Sequence, residues 1–99
     1  MAGQFNWEDS VRPAPGVLFR QLGGETVLLH PDSGFYFGLD IMGTLVWQFL
    51  EEHGRLQPVL EALIREFEVE EERCRADLLR LVGEMLENGL VVTAPASSD

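Results

Sequence analysis

The sequence changes character once, at Asp40, and this change limits the folds that the chain can adopt. Before it, residues 17–39 hold β-branched and aromatic side chains in short runs that glycine and proline separate. After it, residues 40–90 hold apolar side chains at helical spacing. A run of strands followed by a run of helices is typical of an α+β fold. The whole chain has 99 residues, a length that fits one domain.

The first region predicts a three-stranded antiparallel meander. We expect strands over residues 17–22, 25–30 and 35–39. The glycine pair at residues 23–24 is a two-residue hairpin signal, and the sequence HPDSG predicts a turn before the third strand. The third strand would then lie at an edge of the sheet.

Three consecutive aromatic residues, Phe35, Tyr36 and Phe37, stand in this third strand. Successive side chains of a strand point to opposite faces, so a strand with one wet face should alternate apolar and polar residues. This stretch does not alternate, so something must account for its second apolar face. One interpretation makes all three aromatics ordinary core, with residues 1–16 folded over the outer face. The other interpretation leaves the second face free to contact a strand that does not belong to this fold.

The second region predicts three helices. Asp40 is a suitable N-cap for a first helix over residues 41–53, and Gly54 suits its exit. Apolar residues lie almost all round this helix, so we expect it to be the central buried one. Pro58 fits the first turn of a second helix. Acidic residues crowd the start of a third helix over residues 70–88, which an Asn-Gly pair ends.

Three helices and a small sheet together predict a winged helix-turn-helix architecture. Residues 1–16 are mainly polar and end with Pro13, Pro15 and Gly16, so they predict a flexible N-terminal arm, on which Phe5 and Trp7 are available for docking. The predicted domain covers residues 17–92, and residues 93–99 predict a disordered tail.

The charge of the chain argues against the DNA binding that is usual for this architecture. Seventeen acidic residues stand against seven basic ones, for a net charge of −10, and such a field repels phosphate backbones. A recognition helix should present basic or amide side chains, whereas the third helix and its entry are mainly acidic. An acidic winged-helix interaction or transcription-regulatory module stays open as an alternative function.

Residues suited to catalysis or metal binding are few. The histidines are His30 and His53, and with Cys74 they match no compact metal-ligand spacing. Cys74 falls on the apolar stripe of the third helix, so we expect a buried, inert thiol. No nucleophile motif or phosphate-binding loop is recognisable. We therefore expect a non-enzyme without cofactor or metal.

The expected compartment is the cytoplasm. A single cysteine fits a reducing environment, and the sequence shows neither a signal peptide nor an apolar stretch of membrane-spanning length.

Over residues 17–92 the sequence resembles the PqqD-like family, also called RiPP precursor peptide recognition elements. The order and spacing of the motif positions carry the resemblance. These positions are Leu28, Leu29, Pro31, Gly34, Tyr36, Phe37, Leu39, Asp40, Val46, Trp47, Phe67, Val69, Asp77, Leu78, Gly89 and Leu90. The sequence departs from the family pattern at Asp40, where asparagine is commoner, and in its unmatched N-terminal arm.

The resemblance implies a function. Family members are small winged-helix proteins that bind the leader segment of a precursor peptide, which adds as a strand beside the third strand and packs against the third helix. They present the precursor to a modifying enzyme, such as a radical SAM enzyme or a leader peptidase. The product can be a lasso peptide or a quinone cofactor such as PQQ, and the compact stand-alone chain with its GFYFGLD sequence favours the lasso type. We expect a monomer or weak homodimer that binds neither nucleic acid nor membrane.

We expect the peptide-binding residues on the third strand and on one edge of the third helix. They are Phe35, Tyr36, Phe37, Gly38, Asp77, Arg80, Leu81 and Glu84. Leu81, flanked by carboxylates, suits a leader that carries an apolar anchor and a lysine or arginine. The opposite edge of the helix, with Leu79 and Leu86, is the alternative, although packing within the protein explains it better.

Overall fold

The structure is a computed structural model that describes residues 5–23 and 25–95. The described residues form five strands and three helices. In chain order these are β1 (Ser10–Pro13), β2 (Leu18–Leu22), β3 (Glu25–His30), β4 (Phe35–Leu39), α1 (Ile41–His53), α2 (Leu56–Phe67), α3 (Glu71–Glu87) and β5 (Val91–Ala94). The predicted α+β fold, with a three-stranded antiparallel meander followed by three helices, is confirmed. The winged-helix arrangement itself stays a prediction.

The main sheet has the order β2-β3-β4, and all its neighbours are antiparallel. The predicted strands agree with it, except that β2 begins at Leu18, one residue later than expected. Leu22 pairs with Glu25, so the β2–β3 hairpin has the predicted two-residue loop. Gly23 adopts φ 57°, a left-handed value that favours glycine, while Gly24 lies outside the described residues.

The turn before β4 also follows the sequence. The backbone N–H of Gly34 donates to the carbonyl of His30 at 2.8 Å, and Gly34 adopts φ 73°. The hydroxyl of Ser33 accepts a bond of 3.2 Å from the backbone N–H of Phe35. These bonds fix where β4 starts, and the pairing of His30 with Phe35 fixes its register on β3.

Helix α1 begins and ends where the sequence predicts. The side chain of Asp40 accepts a hydrogen bond of 2.8 Å from the backbone N–H of Gly43, which makes Asp40 a true N-cap. Gly54 closes the helix in the left-handed conformation, at φ 68°. The helix buries Val46, Trp47 and Leu50, whereas Ile41, one of its apolar residues, is 76% exposed.

Helices α2 and α3 complete the core. Pro58 stands in the first turn of α2, and α3 is one residue shorter at each end than the predicted range 70–88. The left-handed residue after α3 is Gly89, at φ 73°, whereas Asn88 has φ −96°. The fully or almost fully buried residues of the core are Val11, Leu28, Val46, Trp47, Leu50, Leu56, Val59, Leu60, Leu63, Cys74, Leu78, Val82, Met85, Leu90 and Val91.

A second, two-stranded sheet corrects the expectation for the chain ends. Strands β1 and β5 pair antiparallel, with Val11 opposite Thr93. The prediction of a flexible arm is therefore wrong at residues 10–13, and the prediction of a disordered tail is wrong at residues 93–94. The reason is that Val11 is completely buried, so this polar segment contributes one side chain to the core.

Trp7 holds the segment before β1 in place. Its indole N–H donates to Oε1 of Gln57 at 2.9 Å, and the guanidinium of Arg75 lies 4.3 Å from its ring centroid. The sequence left docking of Phe5 and Trp7 open; both are partly buried and pack against the core. Residues 1–4 and 96–99 lie outside the described residues, and the three-part division of the chain stays a prediction as a whole.

Candidate functional site

Strand β4 has one covered face and one bare face. Phe35, Phe37 and Leu39 share the covered face, and the ring centroids of the two phenylalanines are 6.3 Å apart. Exposure on this face falls along the strand, from 41% at Phe35 to 9% at Leu39. On the other face Tyr36 is 60% exposed, and Gly38 is exposed too.

This arrangement argues against one of the two interpretations of the aromatic run, the one that makes all three aromatics core. Phe37 packs against the core, as both required. Phe35 and Tyr36 are exposed instead, so the interpretation that makes all three aromatics core is wrong for these two residues. The described part of the N-terminal arm does not cover Tyr36, because its strand β1 pairs with β5.

The outer edge of β4 is open. Within the described residues β4 has one partner strand, β3, and it is the last strand of its sheet. Alternate residues of such a strand direct their backbone N–H and C=O groups away from the sheet, where a further strand can pair with them. A strand five residues long therefore offers an unused pairing template.

A cavity of about 470 Å³ lies where the end of β4 meets the first turn of α1 and the side of α3. Its lining consists of Gly38, Leu39, Asp40, Met42, Gly43, Asp77, Arg80, Leu81 and Glu84. Five of the eight predicted site residues are in this set: Gly38, Asp77, Arg80, Leu81 and Glu84. The structure thus brings the predicted helix edge to the end of the predicted strand. Phe35, Tyr36 and Phe37 lie farther back along β4 and do not line the cavity. We call this cavity and the open edge of β4 the groove.

The α3 side of the groove combines an apolar wall with charges. Leu81 is partly buried and packs against the core. Arg80 lies between two carboxylates, with Nη2 at 3.8 Å from Oδ1 of Asp77 and Nη1 at 3.9 Å from Oε2 of Glu84. Asp40 adds a third carboxylate to the lining, so the formal charge of the cavity is negative. Such a lining can accept an apolar side chain and a positive charge close together.

The opposite edge of α3 does not take part in the cavity. Leu79 and Leu86 are partly buried and pack against the core, and neither belongs to the lining. The preference for the edge with Leu81 therefore agrees with the position of the cavity, although the roles of these residues in binding stay a prediction.

The sequence reasoning missed the contribution of α1 to the lining. Met42 and Gly43 belong to its first turn and line the cavity beside Leu39 and Asp40. A β-carbon at Gly43 would stand 3.1 Å from Cδ2 of Leu39, so glycine permits this close approach of α1 to the end of β4. The sequence feature that could have indicated this close approach is the glycine in the first turn of a largely apolar helix.

A second cavity, of about 570 Å³, lies on the other side of the β4–α1 junction. Gln21, Glu25, Thr26, Leu39, Asp40, Ile41, Thr44 and Leu45 line it. It is larger than the first cavity, but α3 contributes no residue to its lining. We therefore base the candidate site on the first cavity, where the sheet edge and the predicted helix edge meet.

The reactive side chains are dispersed. Cys74 is buried, and its burial, with a smaller effect from the negative charge of Asp77, raises the pKa of its thiol. His53 lies at the surface, 3.9 Å from a carboxylate oxygen of Glu52, and His30 packs beside Gly89 after α3. Among residues 5–23 and 25–95, no three His, Cys, Asp or Glu side chains are grouped to hold a metal ion. In the same part of the chain, no helix has the length and apolar character needed to cross a membrane.

Comparison with known sequences decides the family. Residues 25–91 match the family described as "Coenzyme PQQ synthesis protein D (PqqD)". The chain belongs to the PqqD family. The matched region runs from β3 to the first residue of β5 and so includes the whole groove. A search of curated proteins gave no match.

Two solved structures resemble this PqqD-family chain. "Lasso peptide synthetase B1 complexed with the leader peptide" superposes with a TM-score of 0.76 and 30% sequence identity, covering 84% of this chain and 98% of that one. "TbiB1 in Complex with the TbiA(beta) Leader Peptide" superposes with a TM-score of 0.74 and 28% identity, covering 89% and 99% of the two chains. Both similarities extend over nearly the full length of the solved chains. The predicted membership of the PqqD-like family is therefore confirmed.

Proposed function

We propose that this chain binds the leader segment of a ribosomally made precursor peptide and presents it to a modifying enzyme or leader peptidase. The observation that carries the proposal is the open edge of β4, which ends in a cavity walled by α3. The solved structures of two similar proteins, each a complex with a leader peptide, support it.

Strand addition to β4 supplies the affinity in this proposal. Two or three of the five residues of β4 point to the open edge, each with one donor and one acceptor, so a guest strand gains about four to six backbone hydrogen bonds. Each bond contributes about 1 kcal/mol net, and part of the sum is lost in ordering the peptide. Backbone pairing alone therefore gives modest affinity and little selectivity.

Side-chain contacts supply the selectivity. Tyr36 and Gly38 are exposed on the bare face of β4, so the outward side chains of an added leader strand can lie beside them. Inward side chains meet the cavity with Leu81 as its apolar wall and Asp77 and Glu84 as its acidic rim. The favoured leader carries an apolar residue that fills the cavity and a lysine or arginine next to it.

The chain acts without catalysis in this proposal, and it needs no cofactor or metal. Its partners are the leader and the enzyme that processes the precursor, such as a radical SAM enzyme or a peptidase. The resemblance to lasso peptide proteins favours a lasso-type product over a quinone cofactor. The proposed location is the cytoplasm, where precursor peptides are made.

An acidic interaction or transcription-regulatory module is the alternative function. It has less support because the net charge of −10 opposes DNA and because α3, which would be the recognition helix, carries acidic side chains on its groove edge.

A fluorescence titration tests the proposal. The probe is a labelled synthetic peptide with the leader sequence of a precursor gene that neighbours the gene of this chain. We expect saturable binding of this peptide and at least ten-fold weaker binding of a scrambled peptide of equal composition. Equal binding of the two peptides, or no binding of either, would contradict leader recognition.

A further inference from the structure

Arg80 occupies an unusual place within the groove. Its guanidinium lies between Asp77 and Glu84, which precede and follow it by one helical turn, and all three residues line the cavity. The two N–O distances are 3.8 and 3.9 Å, longer than a hydrogen bond. The positive charge therefore neutralises the two carboxylates only in part and is not locked to either of them.

These two ion pairs are easily exchanged. The side chain of Arg80 is 67% exposed, and those of Asp77 and Glu84 are 42% and 48% exposed. Exposed pairs three or four residues apart on a helix contribute little to stability, and an arginine gains rotamer freedom when it leaves such a pair. A ligand that brings its own positive charge can replace the guanidinium at small cost.

The fixed charges of the cavity determine whether a positive or a negative ligand side chain binds more favourably when it displaces Arg80. With Arg80 in place, the lining holds one positive charge against the carboxylates of Asp40, Asp77 and Glu84. Asp40 also caps α1, so its carboxylate is tied to the first turn of that helix. An acidic ligand residue would be repelled by three carboxylates. A basic ligand residue would be attracted by them, and within the cavity lining only Arg80 would compete with it for Asp77 and Glu84.

Resting on the proposed function of the groove, we infer that Arg80 is an internal substitute for a basic side chain of the leader. In the free protein its guanidinium partly compensates the negative charges of Asp77 and Glu84. In the complex a lysine or arginine of the leader takes this position, and Arg80 turns to solvent. Arg80 therefore sets specificity by competition: it lowers the affinity for a basic leader residue at this place and so limits how strongly charge alone can attract peptides.

A leader scan in two backgrounds tests this inference. The probe is the leader peptide of the neighbouring precursor gene, with each residue of its strand segment replaced in turn by lysine or by glutamine. Affinities are measured by calorimetry for the wild-type chain and for Arg80→Gln. At the position that faces the rim, we expect the lysine-to-glutamine affinity ratio to rise about three- to ten-fold in Arg80→Gln, an increase that shrinks in 0.5 M salt.

Arg65→Gln is the matched control. Arg65 is an exposed arginine of α2 outside the cavity lining, and its replacement changes the net charge by the same amount. The affinity ratio should stay at its wild-type value in this variant. An equal rise in both variants would overturn the inference, because the effect would then come from the overall charge.

The other outcomes are also distinct. If the parent leader binds wild-type protein but no position shows a rise in Arg80→Gln, Arg80 is not a competitor and the proposed function stands. If a glutamate leader binds wild-type protein best and loses this advantage in Arg80→Gln, Arg80 contacts an acidic leader residue and the inference is wrong in sign. If no leader variant binds wild-type protein, the proposed function itself fails, and the inference fails with it.

Discussion

Replacing Leu81 with alanine should weaken leader binding and the fold by similar amounts. Leu81 is the apolar wall of the cavity on the α3 side and is already partly buried against the core. The substitution removes three carbon atoms, which at about 0.8 kcal/mol each amount to about 2.4 kcal/mol when burial is complete. Since the free protein already buries part of the side chain, we assign about half of this to binding. The dissociation constant should then rise about five- to ten-fold, and the free energy of unfolding should fall by about 1 kcal/mol.

Calorimetric titration and thermal melting of the same samples separate the two effects. The control is Leu79→Ala on the opposite edge of α3, where the side chain packs against the core but lies outside the cavity. This variant should lose stability and keep its affinity. Asp77→Ala should lose less affinity than Leu81→Ala, and its loss should shrink at high salt because a rim charge is screened. If Leu79→Ala abolishes binding while folded and Leu81→Ala binds normally, the groove lies on the other side of the helix.

Four further substitutions test the strand, helix α3 with its C-terminal end, and the buried thiol. Gly38→Pro should weaken leader binding at least ten-fold in calorimetry, because the proline ring clashes with a guest strand and disturbs the ladder; unchanged affinity in a folded variant would move the site away from β4. Gly83→Ala should raise the free energy of unfolding in urea by about 1 kcal/mol, because a β-carbon at this helical position meets nothing within 4 Å. Gly89→Ala should lower the free energy of unfolding, because Gly89 adopts φ 73°, and a loss of stability in both variants would show that Gly83 has a packing role. Cys74 should make the wild type lose stability above about pH 8.5, because the folded state holds the thiol proton more tightly than the unfolded chain does, and Cys74→Ala should lack this loss; parallel pH profiles of the two proteins would refute the assignment.

The sequence predicted the β4–α1 junction and its flanks well because each boundary there has a local cause. The carboxylate of Asp40 caps α1, Gly54 ends it in the left-handed conformation, and Gly34 closes the turn before β4. Each of these signals acts over four residues or fewer, so the sequence alone contains it. The boundaries of β3, β4 and α1 therefore agree with the predictions to the residue.

The β1–β5 sheet could not be predicted in the same way. Its two strands have four residues each and stand near opposite ends of the chain. Ser10 to Pro13 offers one apolar side chain, Val11, and no alternating pattern. What stabilises the pairing is the burial of Val11 and Val91 in a core that the helices build, and this is a long-range effect.

The helix edge of the groove was predictable, but the cavity was not. Helical spacing alone puts Asp77, Leu81 and Glu84 on one side of α3. The width of the space between that side and β4 depends on how closely α1 approaches Leu39, which the absence of a side chain at Gly43 permits. The part of α1 in the cavity depends on the distance at which this helix packs against β4, and the periodicity of the sequence does not predict that distance.

Amide hydrogen exchange along β4, measured by NMR with and without the leader of the neighbouring precursor gene, tests the central claim most directly. Strand addition protects only the N–H groups that point to the open edge, so alternate residues of the strand should slow down: either Tyr36 and Gly38, or Phe35, Phe37 and Leu39. At a free leader concentration of about 100 times the dissociation constant, their exchange should slow by roughly 100-fold, while the amides already paired with β3 change little. A leader that binds without this alternating protection in β4, and that slows exchange elsewhere on the surface, would contradict recognition by strand addition.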